Sequence, residues 1–123
     1  MADVARDEES TEFFDGTARG ELMVKQCSAC GHHLRPDSIS CSKCYGNELL
    51  WTRASGRGTL VSWIVVHGAE QEPPVVGLVE LDEGPWLHAR LVDVDTATLA
   101  VGDAFVVDFE PAGEERIPIF RPA

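Results

Sequence analysis

The four cysteines of this chain are the residues best suited to chemistry, and their spacing indicates a metal site. They form two CxxC pairs that are ten residues apart, namely Cys27, Cys30, Cys41 and Cys44. Each CxxC can form a tight turn, or knuckle, that directs two sulfurs at one point. Two knuckles then supply four thiolates in the tetrahedral arrangement that suits Zn²⁺. The spacing therefore predicts a structural zinc ribbon.

Other uses of the same sulfurs stay open on these residues alone. Four thiolates can also hold iron, two CxxC pairs can form disulfides, and one CxxC can be a redox motif. The acidic stretch Met1 to Asp15 has neither the basic start nor the apolar centre of a signal peptide, which disfavours export and disulfides. His32 and His33 lie beside the first knuckle, and we interpret them as loop residues rather than ligands. With four protein ligands no position is left for substrate, so the metal is predicted to stabilise and not to catalyse.

Length and charge limit the classes of function. A chain of 123 residues forms one small domain or two very small ones. No apolar run reaches the roughly 18 residues that a membrane span needs, so we expect a soluble, cytoplasmic protein. The chain has ten basic and 21 acidic side chains, a net charge of −11, and the acidic excess is not confined to one tail. Such a chain repels a nucleic-acid backbone at long range.

The elements around the cysteines predict three segments: an N-terminal helical segment at 1–20, a zinc ribbon at 21–54 and a barrel at 55–123. A short helix is expected from Thr11, ended by Gly16. Its aromatic pair, Phe13 and Phe14, either docks the helix on its own domain or packs on a partner protein. Strands are expected on both sides of the knuckles. The flexible stretch Ser55 to Gly58 marks the boundary to the barrel.

Five short strands with glycine-containing turns follow this boundary. They are predicted at Thr59 to His67, Val75 to Leu81, Trp86 to Val94, Ala104 to Glu110 and Ile117 to Phe120. The first carries apolar residues on both faces, which predicts a central, well-covered strand. Pro118 places the last strand at an edge. Five strands in about 65 residues suit the OB-fold barrel. The predicted fold class is therefore mainly β: a short helix, a zinc ribbon and a five-stranded OB-fold.

With these residues located, the chain resembles the DUF35 proteins, which pair a rubredoxin-like zinc ribbon with an acyl-CoA-associated OB-fold. The resemblance runs from Phe13 to Pro122. Besides the cysteines, the stretches that carry it are Phe13 to Gly16, Leu22 to Cys27, Ser55 to Trp63, Val65 to His67, Val79 to Gly84 and Ile119 to Pro122. Ser42 departs from the family pattern, in which a proline follows the first cysteine of the second knuckle.

The resemblance implies an accessory subunit that is not catalytic on its own. DUF35 proteins associate with thiolases, thiolase-like aldolases and hydroxymethylglutaryl-CoA synthase, and occur beside acyl-CoA hydratases. The implied role is to support a thiolase-like or aldolase-like enzyme in a hetero-oligomer, with a fatty, aromatic or steroid side-chain acyl-CoA at the interface. Exposed aromatics are common interface anchors. The candidate anchors are Phe13, Phe14, Trp63 and Trp86. The candidate contacts for CoA phosphates, expected to cluster at the ribbon–barrel junction, are Lys43, Arg53 and Arg57.

Two rival functions have weaker support in the residues. For catalysis, the cysteines are assigned to the metal, which leaves His67 and His88 as the acid–base candidates, and a surface position is the commoner explanation for such histidines. The second rival is a module that binds single-stranded nucleic acid, because OB barrels stack bases on aromatics such as Trp63 and Trp86. The acidic charge balance and the missing basic stripe count against this alternative.

Overall fold

The computed structural model describes residues 7–68 and 73–123, and in this part the chain forms one helix and eight strands. The predicted N-terminal segment at 1–20 and the connection between the first two predicted barrel strands each lie partly outside the described residues. The elements are α1 (Thr11–Ala18), β1 (Met23–Cys27), β2 (His33–Leu34), β3 (Leu49–Arg53), β4 (Arg57–Val65), β5 (Val75–Leu81), β6 (Trp86–Leu91), β7 (Ala104–Ala112) and β8 (Glu115–Pro122). The predicted fold class is confirmed.

The first three strands form a small antiparallel sheet in the order β2-β1-β3. Cys27 lies opposite Leu49 at one end of the β1–β3 pair, and Met23 lies opposite Arg53 at the other. Both knuckles follow from this pairing: β1 leads into the first, and β3 returns from the second. The two-residue strand β2 is too short to show an alternating pattern, so the sequence contained no signal for it.

The other five strands close a barrel in the order β4-β5-β6-β8-β7. The seam between β6 and β8 is parallel and is joined at a single register pair, Leu91 with Phe120. The prediction that the last strand lies at an edge is therefore wrong. Pro118 is tolerated because it lies outside that single pair, so β8 needs no N–H there for β6. On the β7 side Pro118 pairs with Phe109, whose carbonyl accepts a hydrogen bond from Arg116 Nη2 at 3.2 Å instead.

One hydrophobic core joins the barrel to the base of the ribbon. Its buried residues are Leu22, Val24, Ala54, Leu60, Val75, Val79, Leu81, Leu91, Phe105 and Phe120. The first three belong to the chain entering and leaving the ribbon, and the Ala54 N–H donates to the Leu22 carbonyl at 2.8 Å. The predicted division at residue 55 thus falls just after residues that share the barrel core, and it stays a prediction.

The helix docks on its own chain. Phe14 is buried, Phe13 packs against the barrel core, and α1 contacts β8 and β1. The helix extends past Gly16, which was expected to end it. Gly16 is buried inside the helix, where a Cβ would overlap the Met23 side chain. Because glycine has no Cβ, β1 can approach the helix closely. Gly20, at φ 76°, follows the helix end instead.

Two of the stretches that carry the DUF35 resemblance, Ser55 to Trp63 and Val79 to Gly84, meet at the junction between ribbon and barrel. The Ser55 N–H donates to Glu83 Oε2 at 2.7 Å, and the Asp82 N–H donates to the Arg57 carbonyl at 2.9 Å. Gly56, at φ 80°, provides the turn between these bonds. The β5–β6 hairpin therefore fixes the direction in which the chain enters the barrel.

Within residues 7–68 and 73–123, no helix has the length and apolarity to cross a membrane. The cytoplasmic location stays a prediction.

Candidate metal centre

The four cysteine sulfurs converge at the end of the ribbon that lies away from the barrel. All four Sγ atoms lie within 4.8 Å of one another. The Cys27 and Cys44 sulfurs are 3.5 Å apart, and those of Cys30 and Cys41 are 3.6 Å apart. A tetrahedral zinc site with Zn–S bonds of about 2.3 Å separates its sulfurs by about 3.8 Å. The cysteines are thus positioned to bind one metal ion, as the predicted zinc ribbon requires.

The two knuckles have the same backbone design. In the first, the Gly31 N–H donates to the Cys27 carbonyl at 2.9 Å, and in the second the Tyr45 N–H donates to the Cys41 carbonyl at 2.9 Å. Both donor residues adopt positive φ, 79° for Gly31 and 64° for Tyr45. A non-glycine residue in this region costs about 1 kcal/mol or more. The second knuckle therefore holds an exposed tyrosine in a conformation that its closure enforces.

The electrostatics of the sulfurs favour a bound cation. Backbone N–H groups of Cys44 and Lys43 lower the pKa of Cys41 to about 7. At Cys44 the Gly46 N–H acts in the same direction, but the sulfurs of Cys27 and Cys30 together with burial outweigh it and raise the pKa to about 12. One thiolate forms readily and the last forms with difficulty, because like charges repel. A divalent cation removes this penalty, which fits Zn²⁺ held by four thiolates.

The predicted interface aromatics differ in exposure. Phe14 is 8% exposed, and Phe13 and Trp63 are half-buried against the barrel core. Trp86 is 45% exposed, and its Nε1 donates to Glu80 Oε2 at 2.8 Å. Of these four side chains, Trp86 alone presents a large free surface. The others stabilise this chain, and their interface role stays a prediction.

The three predicted CoA contacts do not form one cluster. Arg53 ends β3 on the barrel side and Arg57 begins β4, so both lie exposed at the junction. Lys43 instead lies in the second knuckle, where its backbone N–H donates to Cys41 Sγ at 3.4 Å. The length of β3, roughly 13 Å, separates the knuckles from the junction. Lys43 therefore lies at the other end of the ribbon from the two arginines, and CoA binding by the three residues stays a prediction.

The two candidate acid–base histidines are exposed. His67 lies beyond the last residue of β4, and His88 lies on the outer face of β6. Their exposed positions fit the interpretation as surface residues. A catalytic role for either histidine stays a hypothesis.

A groove of about 750 Å³ lies between α1, the ribbon and the β6–β8 seam. We call it the seam groove. Its apolar lining includes Phe13, Leu49, Trp51, Leu87, Ala89, Pro118 and Phe120, and charged side chains at its lining include Asp7, Glu8, Glu9, Lys25, Arg35 and Asp37. Its walls come from distant parts of the chain, so no local sequence pattern could reveal it.

Two further exposed apolar residues, Ile64 and Val66, lie on the outside of the barrel. The sequence did contain a signal for them, namely the apolar residues on both faces of the predicted strand Thr59 to His67. The pattern predicts a covered central strand, whereas Ile64 and Val66 are exposed on the outer face in the described part of the chain.

A zinc ribbon whose base is continuous with a five-stranded OB-fold barrel defines a class of protein. Residues 14–49 match the family model described as "ChsH2, rubredoxin-like zinc ribbon domain", and residues 51–110 match "ChsH2, C-terminal OB-fold domain". A "DUF35 domain-containing scaffold protein" of Methanothermobacter thermautotrophicus is 31% identical over 103 residues, which is 79% of this chain and 77% of the relative. The chain belongs to the DUF35 family.

Other relatives extend this comparison. A "Probable enoyl-CoA hydratase alpha subunit" of Thermomonospora curvata is 33% identical over 116 residues, which is 90% of this chain and 36% of the relative. The chain thus spans about a third of that relative's length. Among solved structures, a chain of the "Ltp2-ChsH2(DUF35) aldolase" is 31% identical, with a TM-score of 0.82 and coverage of 97% of this chain and 98% of that chain. A DUF35 protein of Sulfolobus solfataricus, 13% identical with a TM-score of 0.68 and coverage of 94% and 86%, shares the fold.

Proposed function

We propose that this chain is a non-catalytic accessory subunit that binds and supports a thiolase-like or aldolase-like enzyme acting on acyl-CoA thioesters. Lipid, steroid side-chain and aromatic acyl-CoA are the substrate classes that the family resemblance implies. In this role the chain contributes structure and surface, while the partner enzyme supplies the reacting groups.

One observation carries the proposal. The likeness to the DUF35 chain of the Ltp2-ChsH2 aldolase covers 97% of this chain at a TM-score of 0.82. It includes the ribbon, the barrel and the junction between them. The name of the Methanothermobacter relative, a scaffold protein, agrees with a supporting role.

The chemistry of the metal centre supports the same proposal. All four cysteines of the chain converge on one site. A thiolate bound to zinc in a four-sulfur site has no open position beside it for substrate. The thiol nucleophile that acyl-transfer chemistry on thioesters often uses would therefore come from the partner enzyme.

Contacts to the acyl-CoA itself belong to the proposal as well. Arg53 and Arg57 are exposed at the junction and provide positive charge for CoA phosphates on an otherwise acidic molecule. The seam groove offers an apolar lining for a hydrocarbon chain. Lys43, at the knuckle end, would reach a different part of the complex.

The test is affinity purification of the tagged full-length chain from its native host, followed by mass spectrometry. The expected result is recovery of a thiolase-like or aldolase-like subunit in a fixed ratio to this chain. The purified enzyme is then assayed on acyl-CoA with and without the chain, and activity or stability should fall when the chain is omitted.

A different result would replace the proposal with the nucleic-acid alternative. Recovery of ribosomal, polymerase or single-strand-binding proteins that nuclease treatment releases would show that the barrel serves nucleic acid. An enzyme whose activity and stability do not depend on this chain would also contradict the supporting role.

A further inference from the structure

The outer surface of strands β4 and β5 carries an apolar cluster, which adjoins Trp86 at one end and is bordered on β6 by His88 and Arg90. We call it the outer barrel face and define it by Ser62, Ile64, Val66, Val76, Leu78 and Trp86. Ile64 lies opposite Val76, and Ser62 lies opposite Leu78, so these side chains are adjacent across the sheet. The side chains of Ile64, Val66 and Trp86 are 63%, 43% and 45% exposed.

The barrel itself does not require this surface. After the irregularity between Leu60 and Ser62, the inward positions of β4 are Trp63 and Val65, which pack against the core. The outward positions Ile64 and Val66 therefore add nothing to that core. A solvated face of an antiparallel sheet normally carries polar residues. Within residues 7–68 and 73–123, no element covers this face.

Acidic side chains outnumber basic ones around the outer barrel face, where the one cation on β4, Arg57, adjoins Asp82. Glu80 lies beside Trp86, and the hairpin that follows carries Asp82 and Glu83. On β6, His88 and Arg90 lie opposite Leu78 and Val76, and Arg90 is already paired with Glu110 on β7. An apolar centre with an acidic rim is complementary to an apolar centre with a basic rim.

We propose that the outer barrel face is the docking surface for the partner enzyme, and that the partner presents an apolar patch bordered by lysine and arginine. This inference rests on the proposed function, because it assigns a surface to that complex. A second copy of this chain fits less well, since it would place acidic rim against acidic rim in a molecule of net charge −11.

The test measures the affinity of the full-length chain for the purified enzyme subunit identified by the affinity purification. The double variant Ile64→Lys/Val66→Lys places charge in the centre of the face, at exposed positions that the fold tolerates. It should weaken binding by roughly 30-fold or more, the loss typical of a hot spot. The control is Val101→Lys, since Val101 is 68% exposed in the β6–β7 connection, and its affinity should stay within about twofold.

Electrostatics provide a second measurement. Replacing the rim acids in the variant Glu80→Gln/Asp82→Asn should slow association several-fold at low salt and make the rate less sensitive to added salt. Glutamine at position 80 keeps an acceptor for Trp86 Nε1. Circular dichroism and zinc content of every variant should match the wild type, which separates lost docking from lost folding.

Each outcome decides between the two proposals. If the wild type binds the enzyme and the Ile64→Lys/Val66→Lys variant binds equally well, the docking inference fails while the proposed function stands. If the wild type does not bind the enzyme, the proposed function is wrong, and the docking inference, which rests on it, is wrong as well. If the wild type is a dimer by light scattering and the double variant is a monomer, a second copy occupies the face and the inference is wrong.

Discussion

At the residue scale, cysteine type and spacing were enough to predict the metal centre, because each CxxC closes its own knuckle through local hydrogen bonds. The Gly31 and Tyr45 N–H bonds to Cys27 and Cys41 span only four residues. The positive φ of Tyr45 could not be predicted, since nothing in its side chain favours that conformation. It follows from closing the second knuckle without a glycine at the position that Gly31 occupies in the first.

Substitution of one ligand tests the role of the metal. Cys41→Ser should abolish stoichiometric zinc and disorder residues 27–49, because metal binding supplies much of the folding free energy of a small ribbon. The barrel should remain folded, since its core lies at the other end of β1 and β3. Zinc analysis and amide NMR spectra of the full chain provide the measurement.

The matched control is Ser42→Ala, at the neighbouring exposed position. It should keep full zinc content and an unchanged spectrum. Well-dispersed signals from residues 27–49 in the metal-free Cys41→Ser protein would contradict a structural role for the metal.

At the element scale, the strands with strong alternation were predicted well and the closure of the barrel was not. The predicted bounds of β5, Val75 to Leu81, match the structure. Pro118 predicts an edge position for the last strand because proline removes a donor, yet β8 pairs with β7 and, at one residue pair, with β6. Pairing between strands that are distant in sequence depends on the whole fold, so local pattern cannot determine it.

The crossing of β4 with its neighbours leads to a prediction for Gly58. This residue pairs with Leu81 on β5 and with Phe105 on β7, and a Cβ there would overlap the Glu80 carbonyl oxygen. Gly58→Ala should lower the free energy of unfolding by about 3 kcal/mol, the upper part of the range for overpacking, because backbone atoms would have to move. Urea unfolding measures this change.

Thr59→Ala is the control, because Thr59 is exposed on the same strand. It should change the free energy of unfolding by less than about 1 kcal/mol. Equal free energies of unfolding for the Gly58→Ala protein and the wild type would contradict this packing, because they would show that β4 and β5 can move apart without loss of stability.

At the scale of the whole molecule, the acidic charge balance counts against nucleic-acid binding, but the net charge does not show where the few cations are placed. Arg121 on β8 bonds Asp108 on β7 at 2.6 Å and Asp93, beyond β6, at 2.5 Å. One cation thus joins three parts of the closed barrel. Neither this bridge nor the seam groove could be predicted from sequence, since both exist only after closure.

The bridge makes stability depend on pH. The Phe109 N–H and Arg121 hold the pKa of Asp108 below its ordinary 3.8. A lowered pKa in the folded state contributes stability above the unfolded pKa, and this contribution is lost as pH falls through the folded value. Asp108→Asn should therefore be less stable than the wild type at pH 7, and the difference should shrink below about pH 4.

Urea midpoints of both proteins between pH 7 and pH 3 test this expectation. Glu114→Gln, an exposed change in the β7–β8 turn, serves as the control and should follow the wild type at every pH. A difference between Asp108→Asn and the wild type that stays constant down to pH 3 would assign the loss to something other than the carboxylate.

The docking of α1 on β8 has a consequence for the order in which the protein is made. The ribosome synthesises Phe13 and Phe14 before the ribbon and the barrel, whereas β8 emerges only after β1 to β7. Until then the two rings lack part of the surface that buries them, and an unfinished chain exposes them to chaperones and proteases. Burial of this aromatic pair therefore depends on β8, and a chain that lacks β8 leaves the pair partly exposed.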